Sequence, residues 1–439
     1  MAGPGSNTAV EDGLLKNVYE DRIAEGVLNK FPLKDAFKVK DSPWNGGRGL
    51  EWSAHIERNN SVMATGEDTA FAVADHQKYL TGFITQRKIM ARWRVSDEQL
   101  KDTQSREGAY RSTRTENMER MIDDVSYREE FYLGTDGRGI FCLLNGNPGT
   151  DTTPVELDAP GGITGANFGN RFIKKGMYLA AINPATGALR DGIARVAAVS
   201  EDGTDFTPAA NLDTAWADND YVVQAASSSV TDVSDTAYER APWGLTALFD
   251  DGTYRENYYG VVRDTYPNYK SYVSSSTGAL SFDLLQRVAD IVDQKLGGSI
   301  TDIWCHHSIR RVYIALTEGD KRYADQASRM NPDGMTKAFN QGDVTMGSVA
   351  VKALRTAPLA TMFLVDRAGC ECVRYTSDKG SWVSGSAGEI LRLDGTGSAG
   401  RHAWEAWYVK RYNLFVRNPG KAARLDGLTG QTLTVQRGE

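Results

Sequence analysis

The spacing of apolar residues along the chain predicts two amphipathic helices. Between Glu11 and Phe37 apolar side chains recur at helical spacing until Pro32 interrupts the pattern, which predicts a short helix on an N-terminal arm. Residues Ser281 to Leu296 repeat this spacing, and Gly297-Gly298 follows the last apolar position, which is typical of a helix end. The second pattern is the clearer of the two.

A third helix is predicted from its start signal and its charge. Ser96 is an N-cap candidate, and Gln99 stands three residues later, at the spacing of a capping box. The run continues to Phe131 with a few apolar residues scattered among Arg, Glu and Asp. Because its apolar face is thin, we expect this helix to lie across a surface with much of its length in solvent or facing partners.

A long β-hairpin is predicted before that helix. Residues Leu50 to Arg58 and Thr69 to Ala74 have strand-like composition around a polar tip, Asn59 to Asp68, and an alternating strand follows at Lys88 to Val95. A two-stranded ribbon is marginally stable in water, and this one has little apolar alternation with which to attach to its own domain. We therefore expect it to need a surface from elsewhere.

The pattern after Asp151 changes to short strands. Residues Met177 to Ile182 and Ile193 to Val199 are strand candidates, and turn residues stand at Asn183-Pro184 and Asp202-Gly203. We interpret the segment up to Tyr238 as a small inserted β domain that could be removed without unfolding the rest.

The remainder of the chain mixes both patterns. Residues Trp243 to Val365 read as α+β, and strands are predicted at Thr361 to Asp366, Cys370 to Tyr375 and Ala403 to Val416. The predicted fold class is therefore α+β with a β insertion.

Composition narrows the function classes. The 439 residues include 41% apolar and 24% charged residues, which are ordinary globular values, and no apolar run approaches the roughly 20 residues that a bilayer requires. The four cysteines do not form a disulfide framework or paired zinc ligands. A formal net charge of −7 argues against a dedicated nucleic-acid reader, although a local basic face stays open.

Motifs for catalysis or cofactors are missing from the sequence. No phosphate-binding loop, G-x-S-x-G elbow or H-E-x-x-H helix is present. Cys370 and Cys372 would share one face of a strand, but packing explains them better than a metal, and Asp202 with Asp205 fits an ordinary turn better than a calcium loop. We predict no catalytic residue, no cofactor and no metal.

Two further features have both a structural and a functional interpretation. His306-His307 would point to opposite faces of a strand, which favours one buried structural histidine and one solvent-facing one. Basic and aromatic residues alternate at Arg87 to Arg94 and at Tyr408 to Arg417, as on surfaces that face nucleic acid, but a solvated face or an intersubunit salt bridge is the better explanation.

The order of these parts resembles the major capsid proteins of tailed bacteriophages, the Hong Kong 97-type fold. The hairpin His55 to Ser61 with Glu67 looks like the extended loop of that family, Phe83 to Val95 like its return strand, and the helix start Ser96 to Leu100 like its spine helix. The implied boundaries are residues 1–45 for the N-terminal arm, 46–90 for the extended β-hairpin loop, 91–140 for a peripheral domain with the spine helix, 141–150 for the start of an axial domain, 151–238 for the inserted β domain, 239–365 for the axial domain, and 366–439 for the return strands of the peripheral domain and the C-terminus.

The resemblance implies a structural protein that assembles into the icosahedral head of a phage around double-stranded DNA. It implies hexamers and pentamers, a separate scaffolding protein, a portal, a decoration protein on the shell, assembly in the host cytoplasm and no membrane. No lysine and asparagine match the family's covalent crosslink, for which Lys78, Lys88 and Asn418 would be guesses, so we predict none. The intersubunit contact candidates are Trp44, Arg58, Asn60, Glu67, Arg87, Arg94, Glu98, Arg111, Arg114 and Glu119.

Three alternatives stay open at this point. An encapsulin-type nanocompartment shell would share the fold and enclose a cargo enzyme. An α+β hydrolase would use Cys305 or His306 in a cleft and form a small oligomer. A β-rich tail or adhesion module fits less well, because a charged helix precedes the α+β segment.

Overall fold

The computed structural model describes residues 37–41, 49–67, 70, 72–102, 113–148, 154–163, 168–212, 215–275, 277–318, 344–346, 349–384, 390–393 and 403–429. The helix predicted on the N-terminal arm lies outside these residues. No helix in this part of the chain is long and apolar enough to cross a bilayer.

The described residues form both α-helices and β-strands. The helices are α1 Asp97–Asp102, α2 Thr113–Leu133, α3 Leu245–Leu248, α4 Phe282–Leu296, α5 His307–Glu318 and α6 Arg367–Cys370. The strands are β1 Lys38–Asp41, β2 Leu50–Glu57, β3 Lys78–Ile84, β4 Arg87–Ser96, β5 Ile140–Leu144, β6 Val155–Asp158, β7 Tyr178–Ile182, β8 Leu189–Val199, β9 Asp205–Pro208, β10 Tyr221–Gln224, β11 Asn257–Tyr258, β12 Val261–Val262, β13 Tyr272–Ser274, β14 Asp302–Cys305, β15 Val344–Met346, β16 Val349–Ala353, β17 Met362–Val365, β18 Cys372–Trp382, β19 Arg392–Leu393, β20 Ala403–Val416 and β21 Ala422–Leu425.

A five-stranded sheet is built around the long strand β20. Strand β4 pairs antiparallel along one edge of β20 and β18 along the other, and β1 adds to β18 in parallel. Helix α2 packs on this sheet through Met121 and Val125. The fully buried Glu129 carboxylate accepts from Arg374 Nη1 at 2.9 Å and from Lys410 Nζ at 2.6 Å, which joins the helix to both long strands.

The charged helix predicted from Ser96 to Phe131 is confirmed where it begins, as α1, and where it ends, as α2. Ser96 Oγ accepts from Gln99 N at 3.3 Å at the start of α1, as the capping pattern predicts. The last turns of α2 are buried through Phe131 and Leu133, whereas Arg114 and Glu119 near its start are exposed. Residues between the two helices lie outside the described part of the chain.

The predicted β insertion is a closed six-stranded barrel in the order β10-β5-β6-β9-β8-β7. The two strands and the turns predicted within it are confirmed, since Gly203 adopts φ +88° in the turn between β8 and β9. The boundary at residue 151 is wrong, because Ile140–Leu144 pairs with β6 and β10 inside the barrel. Apolar residues of the barrel also share one core with α2 and β20, so it is not a detachable insertion.

A six-stranded sheet of order β13-β21-β17-β14-β16-β15 carries α4 and α5. Ser281 caps α4 by accepting from Leu284 N at 3.2 Å, and Gly297 ends it at φ +64°, so the sequence prediction of this helix is confirmed. The last described strand, β21, pairs with β17 and β13 in this sheet. Residues 366–439 are predicted as return strands of a peripheral domain, whereas β21 pairs within the six-stranded sheet that carries α4 and α5.

Two local predictions are also corrected. His306 follows β14 and His307 begins α5, so the two residues do not share a strand; their ring centroids are 5.7 Å apart, with His306 buried and His307 half-buried. Cys370 ends α6 and Cys372 begins β18, so the pair does not lie on one strand face, although both side chains are buried.

Candidate intersubunit surface

The extended loop is a two-stranded antiparallel hairpin with two different faces. Strand β2 pairs with β3 from Leu50 opposite Ile84 to Glu57 opposite Lys78. The partner of β2 is therefore Lys78–Ile84 and not the predicted Thr69 to Ala74, so the described residues between 58 and 77 lie in the tip. Side chains alternate between faces along each strand, so one face meets the body of the protein and the other is open.

The inner face anchors the base of the hairpin on the aromatic core of the chain. The Trp52 ring lies 4.9 Å from Phe415, 5.8 Å from Tyr269 and 6.1 Å from Tyr258, measured between centroids. Its indole N–H donates to Tyr259 O at 3.4 Å. The base is therefore held by its own subunit, contrary to the expectation that the ribbon has no means of attachment.

A close approach of two backbones fixes the same base. Phe83 N donates to Tyr259 O at 2.8 Å, and a Cβ at Gly82 would stand 2.2 Å from that oxygen. Because only glycine leaves room for this contact, the angle at which the hairpin leaves the body is set by Gly82.

The outer face and the tip expose large apolar side chains. Exposed fractions are 85% for Val62, 89% for Val73, 67% for Tyr79 and 56% for both Met63 and Phe83. These five are most of the nine large apolar residues that are exposed in the described part of the chain. This apolar area on the hairpin has no partner in the described part of the chain and indicates a binding surface.

Hydrogen bonds join the two chain segments at the base of the tip. Asn59 Nδ2 donates to Asp75 O at 2.8 Å, and Asp75 Oδ2 accepts from Asn60 N at 3.1 Å. This second bond and the one from His76 N lower the pKa of the Asp75 carboxyl. Lys78 also pairs with Glu57 at the end of the strands.

The structure places the predicted contact residues in two regions. Arg58, Asn60 and Glu67 are exposed on the hairpin tip. Four others are exposed along β4, α1 and α2, namely Arg94, Glu98, Arg114 and Glu119. Trp44 and Arg111 lie outside the described residues.

Arg87 is half-buried and is held within the chain. Its Nη1 donates to Glu239 O at 2.5 Å, and burial lowers its pKa. It therefore joins β4 to the loop after the barrel within one subunit. Sequence reasoning in turn missed the apolar side chains of the hairpin, although Val62-Met63 and Val73 inside a polar tip were a readable signal.

Burial shifts the pKa values of both residues named in the hydrolase hypothesis away from neutral pH. Burial raises the pKa of the Cys305 thiol to about 12, so it is not a thiolate at neutral pH. Burial and the nearby Arg171, His307 and Arg311 lower the pKa of His306 to about 2. No group of three or more metal-ligating side chains occurs within the described residues.

The two basic stretches are largely committed to partners within the chain. Arg92 Nε donates to Glu405 Oε2 at 2.8 Å, Lys410 is buried on Glu129, and Arg417 lies 3.2 Å from Glu371. These contacts favour the structural interpretation of both stretches over the nucleic-acid one.

Comparison with solved structures identifies the fold. A chain of the cyanophage A-1(L) capsid asymmetric unit superposes with a TM-score of 0.58 at 12% identity, covering 97% of this chain and 100% of the other. This chain has a capsid fold. The capsids of native and empty GTA particles give TM-scores of 0.51 and 0.50 at 10% and 11% identity, again over 97% of this chain and 100% of theirs.

The capsid fold confirms the fold class inferred from the order of the elements. No family model matches the sequence, and no curated protein matches it. The likeness therefore lies in architecture, which persists where sequence identity is near 10%.

Proposed function

We propose that this chain is the major capsid protein of a tailed phage and assembles into an icosahedral head around double-stranded DNA. The observation that carries the proposal is the anchored hairpin with its exposed apolar outer face, on a chain with a capsid fold. A monomer gains nothing from a ribbon that exposes Val62, Val73 and Tyr79 to water. A shell of identical subunits gives each ribbon a neighbour.

The hairpin would lie on an adjacent subunit and bury its apolar face there. Head-to-tail contacts of this kind close into rings, which in a shell are hexamers and pentamers. The polar residues Arg58, Asn60 and Glu67 on the tip, and Arg94, Glu98, Arg114 and Glu119 on the body, would form the polar rim of such contacts. Many contacts of modest strength then stabilise the particle collectively.

The proposal includes partners that act during assembly. A separate scaffolding protein, a portal and a decoration protein would complete the head in the host cytoplasm, and the mature chain would reside in the virion. It assigns the subunit no enzymatic role.

The hairpin can be tested by replacing Val62 and Val73 with serine. Each valine contributes about 1.5 kcal/mol when buried, so the double variant should weaken each intersubunit contact by about 3 kcal/mol, which is on the order of 100-fold. Sedimentation velocity should then show folded subunits and few particles. Thr65→Ser with Thr81→Ser is the matched control on the same hairpin and should assemble normally. Normal particle yield from the valine variant would refute the assignment of the hairpin.

A nanocompartment shell is the second candidate, because it shares the architecture. Nuclease-protected double-stranded DNA inside purified particles distinguishes the two functions. Particles that enclose protein and no DNA would favour the nanocompartment.

A further inference from the structure

A cluster of positive side chains lies where α5 begins, away from the hairpin. Three segments meet there. Leu354 N donates to Cys305 O at 2.8 Å, which brings the loop before β17 against the residue preceding His306. Arg171 Nη1 reaches the same loop and donates to Ala357 O at 3.0 Å. Arg355 stands between these two contacts in the chain.

The cluster consists of four arginines around a pair of histidines. After burial, the causes that lower the pKa of His307 are the positive charges of Arg310, Arg355, Arg171 and Arg311. For His306 the causes after burial are likewise positive charges only. No carboxylate is among these neighbours of either ring.

One buried donor in the cluster has no hydrogen-bond partner among the described residues. Arg171, Arg310 and Arg355 form no ion pair there, and the buried Nε of Arg310 makes no hydrogen bond. His306 is 7% exposed, and its Nδ1 lies 3.0 Å from Ser308 Oγ. A buried unpartnered donor costs free energy, so this arrangement is explained by a ligand that accepts hydrogen bonds.

We propose that Arg171, Arg310 and Arg355, with His306, form a phosphate-binding site that holds the backbone of nucleic acid. Arginine groups bind phosphate through paired N–H donors, and the N-terminal end of the twelve-residue helix α5 adds its partial positive charge. Assigning the phosphate to the enclosed DNA rests on the proposed function, whereas phosphate binding itself does not.

Two observations favour nucleic acid over an acidic segment of a second copy. The large apolar side chains that a protein interface needs at its centre are exposed on the hairpin, and no member of the cluster is apolar. The chain carries a formal net charge of −7, which repels DNA overall, so attraction has to come from a local basic site.

The test compares two charge-matched double variants of the full chain. Arg310→Gln with Arg355→Gln removes two charges from the cluster, and Arg195→Gln with Arg287→Gln removes two exposed charges elsewhere. Binding of a fluorescein-labelled DNA duplex of about 20 base pairs is followed by anisotropy at several salt concentrations, with inorganic triphosphate as competitor. Arg171 is left intact because it holds the loop through Ala357.

We expect the cluster variant to bind the duplex about tenfold more weakly, with the slope of log affinity against log salt reduced by about 2, since each lost phosphate contact removes about 0.9. Triphosphate should compete with the duplex for the wild-type protein and the control. Equal losses in both variants, or no loss in either, would overturn the proposal.

Particle formation is scored separately by sedimentation. A cluster variant that binds DNA normally but fails to form particles would show that the arginines hold carboxylates of a neighbouring subunit, which overturns the nucleic-acid site and leaves the proposed function standing. If the wild-type chain forms no particles and the cluster variant still shows the expected loss in DNA binding, the proposed function alone is overturned.

Discussion

Replacing Trp52 with alanine should release the base of the hairpin while leaving the rest of the subunit folded. The indole makes edge contacts with Tyr269 and Phe415 and a hydrogen bond to a backbone carbonyl. Each aromatic contact contributes about 0.5–1.5 kcal/mol beyond the buried area, and loss of a large aromatic side chain costs about 3–5 kcal/mol in a core. Because Trp52 is only half-buried, we expect the low end, about 3 kcal/mol.

Hydrogen exchange measured by mass spectrometry reports this change locally. A loss of about 3 kcal/mol should speed exchange in peptides that cover residues 50–57 and 78–84 about 100-fold. Peptides from β14 and β17 should keep their protection, because those strands lie in the six-stranded sheet, separate from the hairpin. The variant should also assemble poorly, since a free ribbon must be ordered again at each contact.

Tyr79→Ala provides the matched control on the opposite face of the hairpin. Its ring is 67% exposed and contacts only His55 among the aromatic residues described, so its loss should leave exchange in the hairpin nearly unchanged while still impairing assembly. If Trp52→Ala leaves hairpin exchange unchanged, or lowers the protection of every sheet equally, the hairpin is not an independently anchored unit.

Three further predictions concern the body of the subunit. Glu129→Gln leaves two buried cations without a full countercharge and should cost about 3 kcal/mol in urea unfolding, whereas the exposed Glu119→Gln should cost under about 0.5. The pKa of His306 is lowered to about 2 from 6.5, so the unfolded chain binds its proton first and stability falls as pH drops below about 6.5; His306→Gln should reduce that loss in thermal unfolding between about pH 6 and 4. Replacing residues 151–238 with a Gly-rich linker should unfold the subunit in circular dichroism, because Ile140–Leu144 loses both neighbouring strands. An unchanged urea midpoint for Glu129→Gln would contradict the first prediction, and an unchanged acid profile for His306→Gln would contradict the second. A native spectrum for the linker variant would contradict the third.

The sequence predicts elements whose signals are local. The helix at Phe282–Leu296 has an N-cap serine, a clean apolar face and a C-terminal glycine, and Ala403–Val416 is rich in aromatic residues and valine and is followed by Asn418-Pro419-Gly420, so both were located closely. Hairpin register was missed because Thr69 to Ala74 has strand-like composition, whereas the choice of Lys78–Ile84 is made by packing of Ile84 and Gly82 on the core.

Domain boundaries could not be read because they depend on distant pairing. Ile140–Leu144 closes a barrel with a strand some 80 residues later, and Ala422–Leu425 returns to a sheet begun before α4. The candidate functional residues were likewise predicted only in part. Polar tip residues were found from sequence, whereas the exposed apolar face and the arginine cluster required the fold.

The central claim is that this chain builds a closed shell, and electron microscopy of the purified protein tests it most directly. The protein would be expressed alone and together with candidate scaffolding proteins, and the particles treated with nuclease before imaging. The account predicts uniform hollow shells tens of nanometres across, with rings of five and six subunits on their surface. A small oligomer that persists under every co-expression condition would contradict it.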